Sequence, residues 1–540
     1  MPTKDMKTVQ QKSDLITRLK GIRKLISDYR EKRKDELFRY TVLIIISLIS
    51  ALAIQGKAGI DHLVGNFLII TFIFFIFFKD IKRYKPAYLN NNKMMLLLGI
   101  LIAGTVILGR IFAHMLLALH KGFDLPPEAS FIFGIPLPVG AMLITLIFDF
   151  HLAISFSFAM SLLTGMWLND PYYSIYIFIG SLTAAFGVFR CKRRSALIKG
   201  GLYVGAVNVA SAAIILLVKG SLFAPLAPST LLFAGLSGLS VAAVISIVLP
   251  AIEYIFGIVT DISLVELLDL DQPLMRALMI NAPGTYHHSV IVGNLAESAA
   301  EAVGANALLA RVCSYYHDIG KLKMPDYFIE NQRGSISRHD KLAPTMSSMI
   351  LTSHIKEGIE LGRHYKLPQS IIDIIEQHHG TSLITYFYHK AVELKTEGSP
   401  PEETYRYPGP KPQSRVAALV MMADAVEAAS RTLTDPTPSR ITALVEKIIN
   451  SIFLAGQIDE CELTLRDMSE IKRRFTYILT SIFHRRIEYP DFSVKGIHGR
   501  DEKIATAKGN GSNSKEQPTT DKDKPPEDHA RTTTGTETIS

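Results

Sequence analysis

Long apolar runs dominate the chain from about Phe38 to Ile258, and then give way to segments whose apolar residues recur every three or four positions. Eight of these runs approach or exceed the roughly 17 residues a helix needs to cross the hydrocarbon core; they lie near 38–55, 62–78, 94–118, 132–149, 151–168, 171–189, 201–218 and 230–257. Beyond them, Leu264, Leu267, Leu268, Leu270, Leu274, Leu278 and Met279 fall at helical intervals after an Asp261-Ile262-Ser263 start signal. That pattern predicts a short amphipathic coupling helix within 259–283. From 284 to 494 helical segments alternate with Gly and Pro breaks, without convincing strand alternation. The expected fold is therefore all-α: a polytopic helical membrane domain over 38–258, followed by a cytoplasmic all-helical domain.

The two ends differ from both parts. In residues 1–37, Leu15, Ile16, Leu19, Ile22, Leu25 and Ile26 mark one helix face among Arg18, Lys20, Arg23 and Lys24, which predicts a basic amphipathic helix lying on an anionic leaflet. Residues 495–540 mix Lys, Asp, Thr, Gly and Pro with almost no aromatics, and are expected to be disordered because they bury too little surface.

Charge orients the apolar runs. Lys79, Lys82, Arg83, Lys85 and Lys93 stand between the second and third, and Arg190, Lys192, Arg193, Arg194 and Lys199 between the sixth and seventh, whereas the opposite connections carry only Lys57, Lys121 and Lys219. Basic loops stay inside, so both termini and the second half are expected in the cytoplasm. Topology thus accounts for the net charge of +8 in 540 residues, and no nucleic-acid polymer is expected as a partner. Arg110 sits toward the outer end of the third run, where reaching the interface avoids the cost of about 2.5–3.5 kcal/mol for a charge at mid-bilayer. Asp149 and His151 read as turn residues at the inner interface. Cys191, Cys313 and Cys461 are far apart with no CxxC spacing, which excludes a disulfide framework and a thiolate zinc site.

Candidate chemistry is concentrated between Gly284 and Asp424. His288, His317-Asp318, His354, His378-His379 and Asp424 recur at helix-scale intervals, each inside an apolar segment. Imidazoles and carboxylates in that arrangement are how a metal site is built within a helical bundle. The helix carrying His317-Asp318 stops at Gly320, and neighbouring helical residues point about 100° apart. Both can then serve one metal near the helix end, and the carboxylate can also bridge a second. His339-Asp340 stands in a loop-like stretch before Pro344, without a flanking helical pattern, and is not assigned to the ligands; a role at the rim of the site is left open. Lys321 shares the side of His317 and Asp318 and is a candidate to neutralise a substrate phosphate. The segment 386–411 carries Tyr386, Phe387, Tyr388, Arg406 and Tyr407, candidates for stacking bases and contacting phosphate.

Together these residues resemble the H…HD…D signature of the HD phosphohydrolase superfamily. More narrowly, Ala282-Pro283-Gly284-Thr285-Tyr286-His287-His288-Ser289, His378-His379-Gly380-Thr381-Ser382, Tyr386-Phe387-Tyr388, Arg406-Tyr407-Pro408-Gly409-Pro410-Lys411-Pro412 and Ala423-Asp424-Ala425-Val426-Glu427-Ala428-Ala429-Ser430-Arg431 resemble the seven-transmembrane HD family of PgpH-type bacterial cyclic di-AMP phosphodiesterases. Members typically carry an extracellular domain after the first span; this chain has only about Gly56 to Asp61 there. The resemblance implies two divalent ions, Mn or Fe, one held by His288, His317, Asp318 and Asp424, the other by Asp318, His354 and His378, with His379 a further ligand or a supporting partner. It implies a multi-pass protein of the bacterial inner membrane with a lipid bilayer and a cyclic dinucleotide as partners, hydrolysing cyclic di-AMP to the linear dinucleotide pApA. Another nucleotide such as cyclic di-GMP, a non-catalytic nucleotide receptor, and a homo-oligomer are left open by the residues themselves.

Overall fold

A computed structural model describes residues 30, 33–55, 59–123, 128–332, 337–394 and 400–483. Nearly all of the expected amphipathic N-terminal segment, and all of the tail expected to be disordered, lie outside the described residues. Among those described, seven helices are long and apolar enough to cross a membrane. They are α1 (Arg33–Ile54), α2 (Ile60–Tyr84), α4 (Asn92–Phe123), α7 (Phe150–Leu168), α8 (Pro171–Val188), α9 (Ser195–Val218) and α10 (Ala227–Phe256). A short α3 (Pro86–Asn90) joins α2 to α4.

The fourth expected span, 132–149, corrects to a broken one. α5 (Glu128–Phe131) runs into a 3-10 turn, the backbone is extended at Ile135, and α6 covers only Val139–Ile147. Pro136 and Pro138 explain the break, since each lacks an N–H and disfavours helical backbone in the residue before it. At about 1.5 Å per residue, α6 reaches only about 14 Å. The segment nevertheless links opposite ends of the bundle: Ser130 Oγ lies 3.0 Å from Thr230 Oγ1 at the start of α10, while Phe148 O accepts from Tyr88 Oη at 3.1 Å in α3. Irregular backbone survives at membrane depth only inside protein, and every residue from Phe133 to Ile144 is buried.

Several polar groups in the membrane part find partners. Arg110 donates to Gln55 O at 2.9 Å and lies 5.2 Å from the Trp167 ring, so a carbonyl and an aromatic face serve it where α1 ends. Asp149 caps α7 through Leu152 N at 2.8 Å, and His151 approaches Asp80 at 3.6 Å. The backbones of α9 and α10 approach closely. A Cβ on Gly238 would lie 2.3 Å from Gly201 O and 2.4 Å from Gly205 N, so small residues let these backbones touch.

The expected coupling helix divides in two, α11 (Asp261–Leu267) and α12 (Pro273–Asn281). Its cap is Thr260, one residue earlier than the sequence signal: Thr260 Oγ1 accepts from Ser263 N, and Thr260 N donates to Ser263 Oγ at 3.1 Å. α11 is shared between two cores, for Ile262 packs into the membrane bundle and Leu264 into the domain below. Arg194 grips Glu266 with two bonds of 2.6 and 2.9 Å, and Tyr316 donates to Leu267 O at 2.7 Å.

The second domain is helical throughout its described residues apart from one isolated bridge, Leu383 with Arg406. α13 (Pro283–Val303), α14 (Ala307–Tyr316), α15 (Pro344–His364), α16 (Gln369–Gln377), α18 (Arg415–Ser430), α19 (Pro438–Leu454) and α20 (Leu465–Ile482) surround one core. α18 is the central helix because it is apolar nearly all round, with every residue from Val416 to Asp424 buried. α17 (Thr385–Leu394) packs on a separate small cluster of Ile384, Phe387, Ala391 and Tyr405.

Candidate metal centre

Four helices and the turn after α14 bring five imidazoles and two carboxylates together in two adjoining groups, His288, His317 and Asp424, and Asp318, His354, His378 and His379. His288 projects from α13, His354 from α15 and Asp424 from α18, while His317 and His378 each end a helix. Asp318 lies between the groups. Its Oδ2 is 3.2 Å from His317 Nε2 and 3.6 Å from His288 Nε2, and its Oδ1 is 3.4 Å from His354 Nε2 and 3.7 Å from His378 Nε2. Asp424 Oδ1 lies 3.1 Å from His288 Nε2, and Oδ2 lies 3.6 Å from His379 Nδ1.

Each ring is turned by its far nitrogen. Nδ1 of His317, His354 and His378 bonds the carbonyl of Ser314, Leu351 and Ile375 at 2.6, 2.5 and 2.8 Å, three residues earlier in each case. His288 Nδ1 instead bonds Glu427 Oε2 at 2.5 Å. Such partners fix the tautomer that leaves Nε2 free to ligate. His288 Nε2, His317 Nε2 and Asp318 Oδ1 are buried and make no hydrogen bond, a state that costs about 1–3 kcal/mol per group unless something else satisfies it. Divalent cations among these donors would do so, and the residues fit them.

The electrostatics agree. Burial would raise the Asp318 carboxyl, but the charges of His317 and Lys321 outweigh it and hold it well below the usual range. Burial would raise Asp424 likewise, but the nearby His288 and His317 rings outweigh it and hold it well below the usual range. Burial pushes His354 and His378 down and His379 to about 3, so these rings are neutral and ready to ligate. His317 is pushed up to about 10 because Asp318 and Asp424 overcome its burial; the carboxylates attract positive charge to the centre, a proton when nothing larger is there.

Around Lys321, already a candidate from the sequence, stand supporting groups that the sequence did not single out. Lys321 Nζ lies 2.7 Å from Asp318 Oδ2 and 2.8 Å from Glu330 Oε1, so its ammonium is directed at the carboxylate. Glu330 also accepts from Thr285 Oγ1 at 3.0 Å, and Asn331 Oδ1 accepts from Gly284 N and Thr285 N, tying down the start of α13. Glu427 is held on its other side by Arg431 Nε at 2.7 Å. Its spacing of three from Asp424, on one face of α18, was the available signal. His339 stays outside the cluster, bonding Tyr327 O at 2.9 Å and packing on Phe387.

The expected aromatic contacts separate. Tyr407 stacks on His379, with centroids 4.1 Å apart and planes at 26°. Phe387 is buried in the small cluster, Tyr388 packs against it, and Tyr386 is exposed on α17. Arg406 is engaged by Thr381 O at 3.0 Å and Glu402 at 2.9 Å.

Comparison with known proteins adds to this geometry. Residues 60–260 match the family described as a 7TM receptor with intracellular HD hydrolase, and residues 285–429 match the HD domain. The chain belongs to this seven-transmembrane HD family. Six of its long helices and the broken segment lie within the first match, with α1 before it. Two relatives are similar over most of the chain. The cyclic-di-AMP phosphodiesterase PgpH of Bacillus subtilis (strain 168) is 41% identical over 369 residues, 67% of this chain and 52% of that protein. PgpH of Listeria monocytogenes serotype 1/2a (strain 10403S) is 43% identical over 346 residues, 63% and 47% respectively. The chain thus spans about half the length of the curated relatives it matches. The crystal structure of the L. monocytogenes PgpH HD domain, also solved in complex with cyclic-di-AMP, is 47% identical over 40% of this chain and all of that one, with a TM-score of 0.38.

Proposed function

We propose that this seven-transmembrane HD protein is a membrane-anchored, metal-dependent phosphodiesterase that hydrolyses cyclic di-AMP to pApA from the cytoplasmic face of the bacterial inner membrane. The observation that carries the reading is Asp318, a buried carboxylate whose two oxygens face two separate sets of histidines. Kinship with the two PgpH enzymes supports the substrate. One ion is assigned to His288, His317, Asp318 and Asp424, the other to Asp318, His354 and His378 with His379 beside them. When bound, two divalent ions, Mn or Fe, supply a nucleophile from water at neutral pH and charge neutralisation at the phosphoryl oxygens.

The chain's own residues do the rest. Asp318 and Asp424 stay ionised and hold the cations; the neutral rings of His354, His378 and His379 ligate without losing a proton. Lys321 and Glu330 fix the Asp318 carboxylate in position. Tyr407 closes one side of the centre against His379. The test is turnover of cyclic di-AMP and cyclic di-GMP by the full chain in detergent with Mn or Fe, alongside metal analysis. Two ions per chain, preferred cleavage of cyclic di-AMP, and loss of activity in Asp318→Ala are expected. A near-normal Asp318→Ala rate, or a stronger preference for cyclic di-GMP, would overturn the reading.

A further inference from the structure

Between α1 and α2, at the end of the bundle that carries the basic connection 79–93, a groove open on one side holds a cavity of about 50 Å³. Its lining is ordered by depth. On α1, Arg39 stands near the helix start and Leu43 one turn deeper; on α2, which runs the other way, Phe75 and Phe78 lie deeper, and Lys79 and Lys82 near the helix end. Helical spacing of three and four puts each set on one face, so cations from both helices meet at one level and apolar side chains at the next.

Among the described residues the charges are not used up. Arg39 is anchored by one bond, Nη2 to Asn90 Oδ1 at 3.0 Å, while its Nε is buried with no partner. Lys79 lies 5.2 Å from the Phe75 ring, and among the described residues none of the three cations forms an ion pair, although Glu36 lines the same groove. Three cations against one carboxylate leave an excess of positive charge over an apolar floor. Complementary to this is a molecule with an anionic phosphate at one end and a hydrocarbon chain at the other; guanidinium and ammonium groups are suited to phosphate oxygens, and basic pockets between membrane helices take such headgroups.

We propose that this groove is a binding site for one anionic phospholipid, its phosphate held by Arg39, Lys79 and Lys82 and its acyl chain lying along Leu43, Phe75 and Phe78. A zwitterionic lipid fits less well, because its quaternary ammonium would face the two lysines.

The experiment is native mass spectrometry of the full chain in detergent titrated with phosphatidylglycerol or phosphatidylcholine, compared with Lys79→Gln/Lys82→Gln and with Arg39→Gln. Both lysines are exposed, so their replacement leaves the helix packing alone, and thermal unfolding checks Arg39→Gln. Saturable binding of one phosphatidylglycerol is expected, weakened more than roughly tenfold by the double substitution. Equal binding of phosphatidylcholine, or undiminished phosphatidylglycerol binding in both variants, would overturn the proposal. Displacement by millimolar inorganic phosphate would mean a plain anion site and would also overturn it. So would tighter lipid binding after removal of residues 1–29, which would assign the groove to the chain's own N-terminal segment.

Discussion

His288 differs from the other buried histidines in what turns its ring, a carboxylate rather than a backbone carbonyl. Burial would raise the Glu427 carboxyl, but His288 and Arg431 hold it below its ordinary range. Its contribution is therefore fully present at neutral pH and is lost as the pH falls through that lowered value. Replacing Glu427 by Gln is expected to weaken metal binding about 10–100-fold, as for other groups that orient ligands, with turnover largely recovered at high metal; titration calorimetry and metal-dependent rates check both halves. Tyr407 carries a second expectation. Because its ring lies on His379, Tyr407→Ala removes an aromatic contact worth about 0.5–1.5 kcal/mol from a candidate ligand. It is expected to lower kcat/KM up to roughly tenfold on cyclic di-AMP and on bis(p-nitrophenyl) phosphate alike. A loss confined to the cyclic dinucleotide would instead give the ring a base-reading role.

At the scale of elements, Gly320 is where the turn after α14 meets α15. Its apparent role in the sequence was to stop a helix. The structure supplies a stronger reason, since a Cβ there would lie 1.8 Å from His354 O and 2.6 Å from Gly358 N. Gly320→Ala must push α15 away and carry His354 with it. Overpacking of this kind costs about 1–3 kcal/mol, and the variant is expected to lose the ion assigned to His354 before the one assigned to His288. Metal content and thermal unfolding of the variant, measured together, test this; two retained ions with unchanged stability would refute it. α11 shows the same dependence on close contact, placing Ile262 and Leu264 in different cores while Arg194 and Tyr316 hold it from either side.

For the whole molecule, the broken segment decides topology. Counting only long helices gives an odd number, but Pro136 and Pro138 interrupt a segment that still runs from the Thr230 end of the bundle to the Tyr88 end. The number of passes from α1 to α10 is then even, so the start of α1 is expected on the same side as α11 and the metal centre. A reporter fused after Glu330 is expected to behave as cytoplasmic and one inserted after Phe123 as exported. The reverse pattern would put the centre on the side opposite to an intracellular messenger.

The sequence by itself determined the all-helical character, the change from membrane to globular domain near 258, and the identity of the clustered histidines and aspartates. These are local properties: apolar run length, three-to-four periodicity, and residue types with few structural uses at such spacing. Only the tertiary structure decided what depends on residues distant in the chain. Glu427 was legible as a polar residue on α18, but not as the partner of His288, 139 positions away. Lys321 was free by its sequence context to face a substrate, yet Glu330 and Asp318 converge on it. The aromatics of 386–407 look alike in one dimension; folding buries Phe387, exposes Tyr386 and sets Tyr407 against a candidate ligand. Hydrophobicity chooses which residues leave water, but it is the packing of one helix on another that chooses their neighbours.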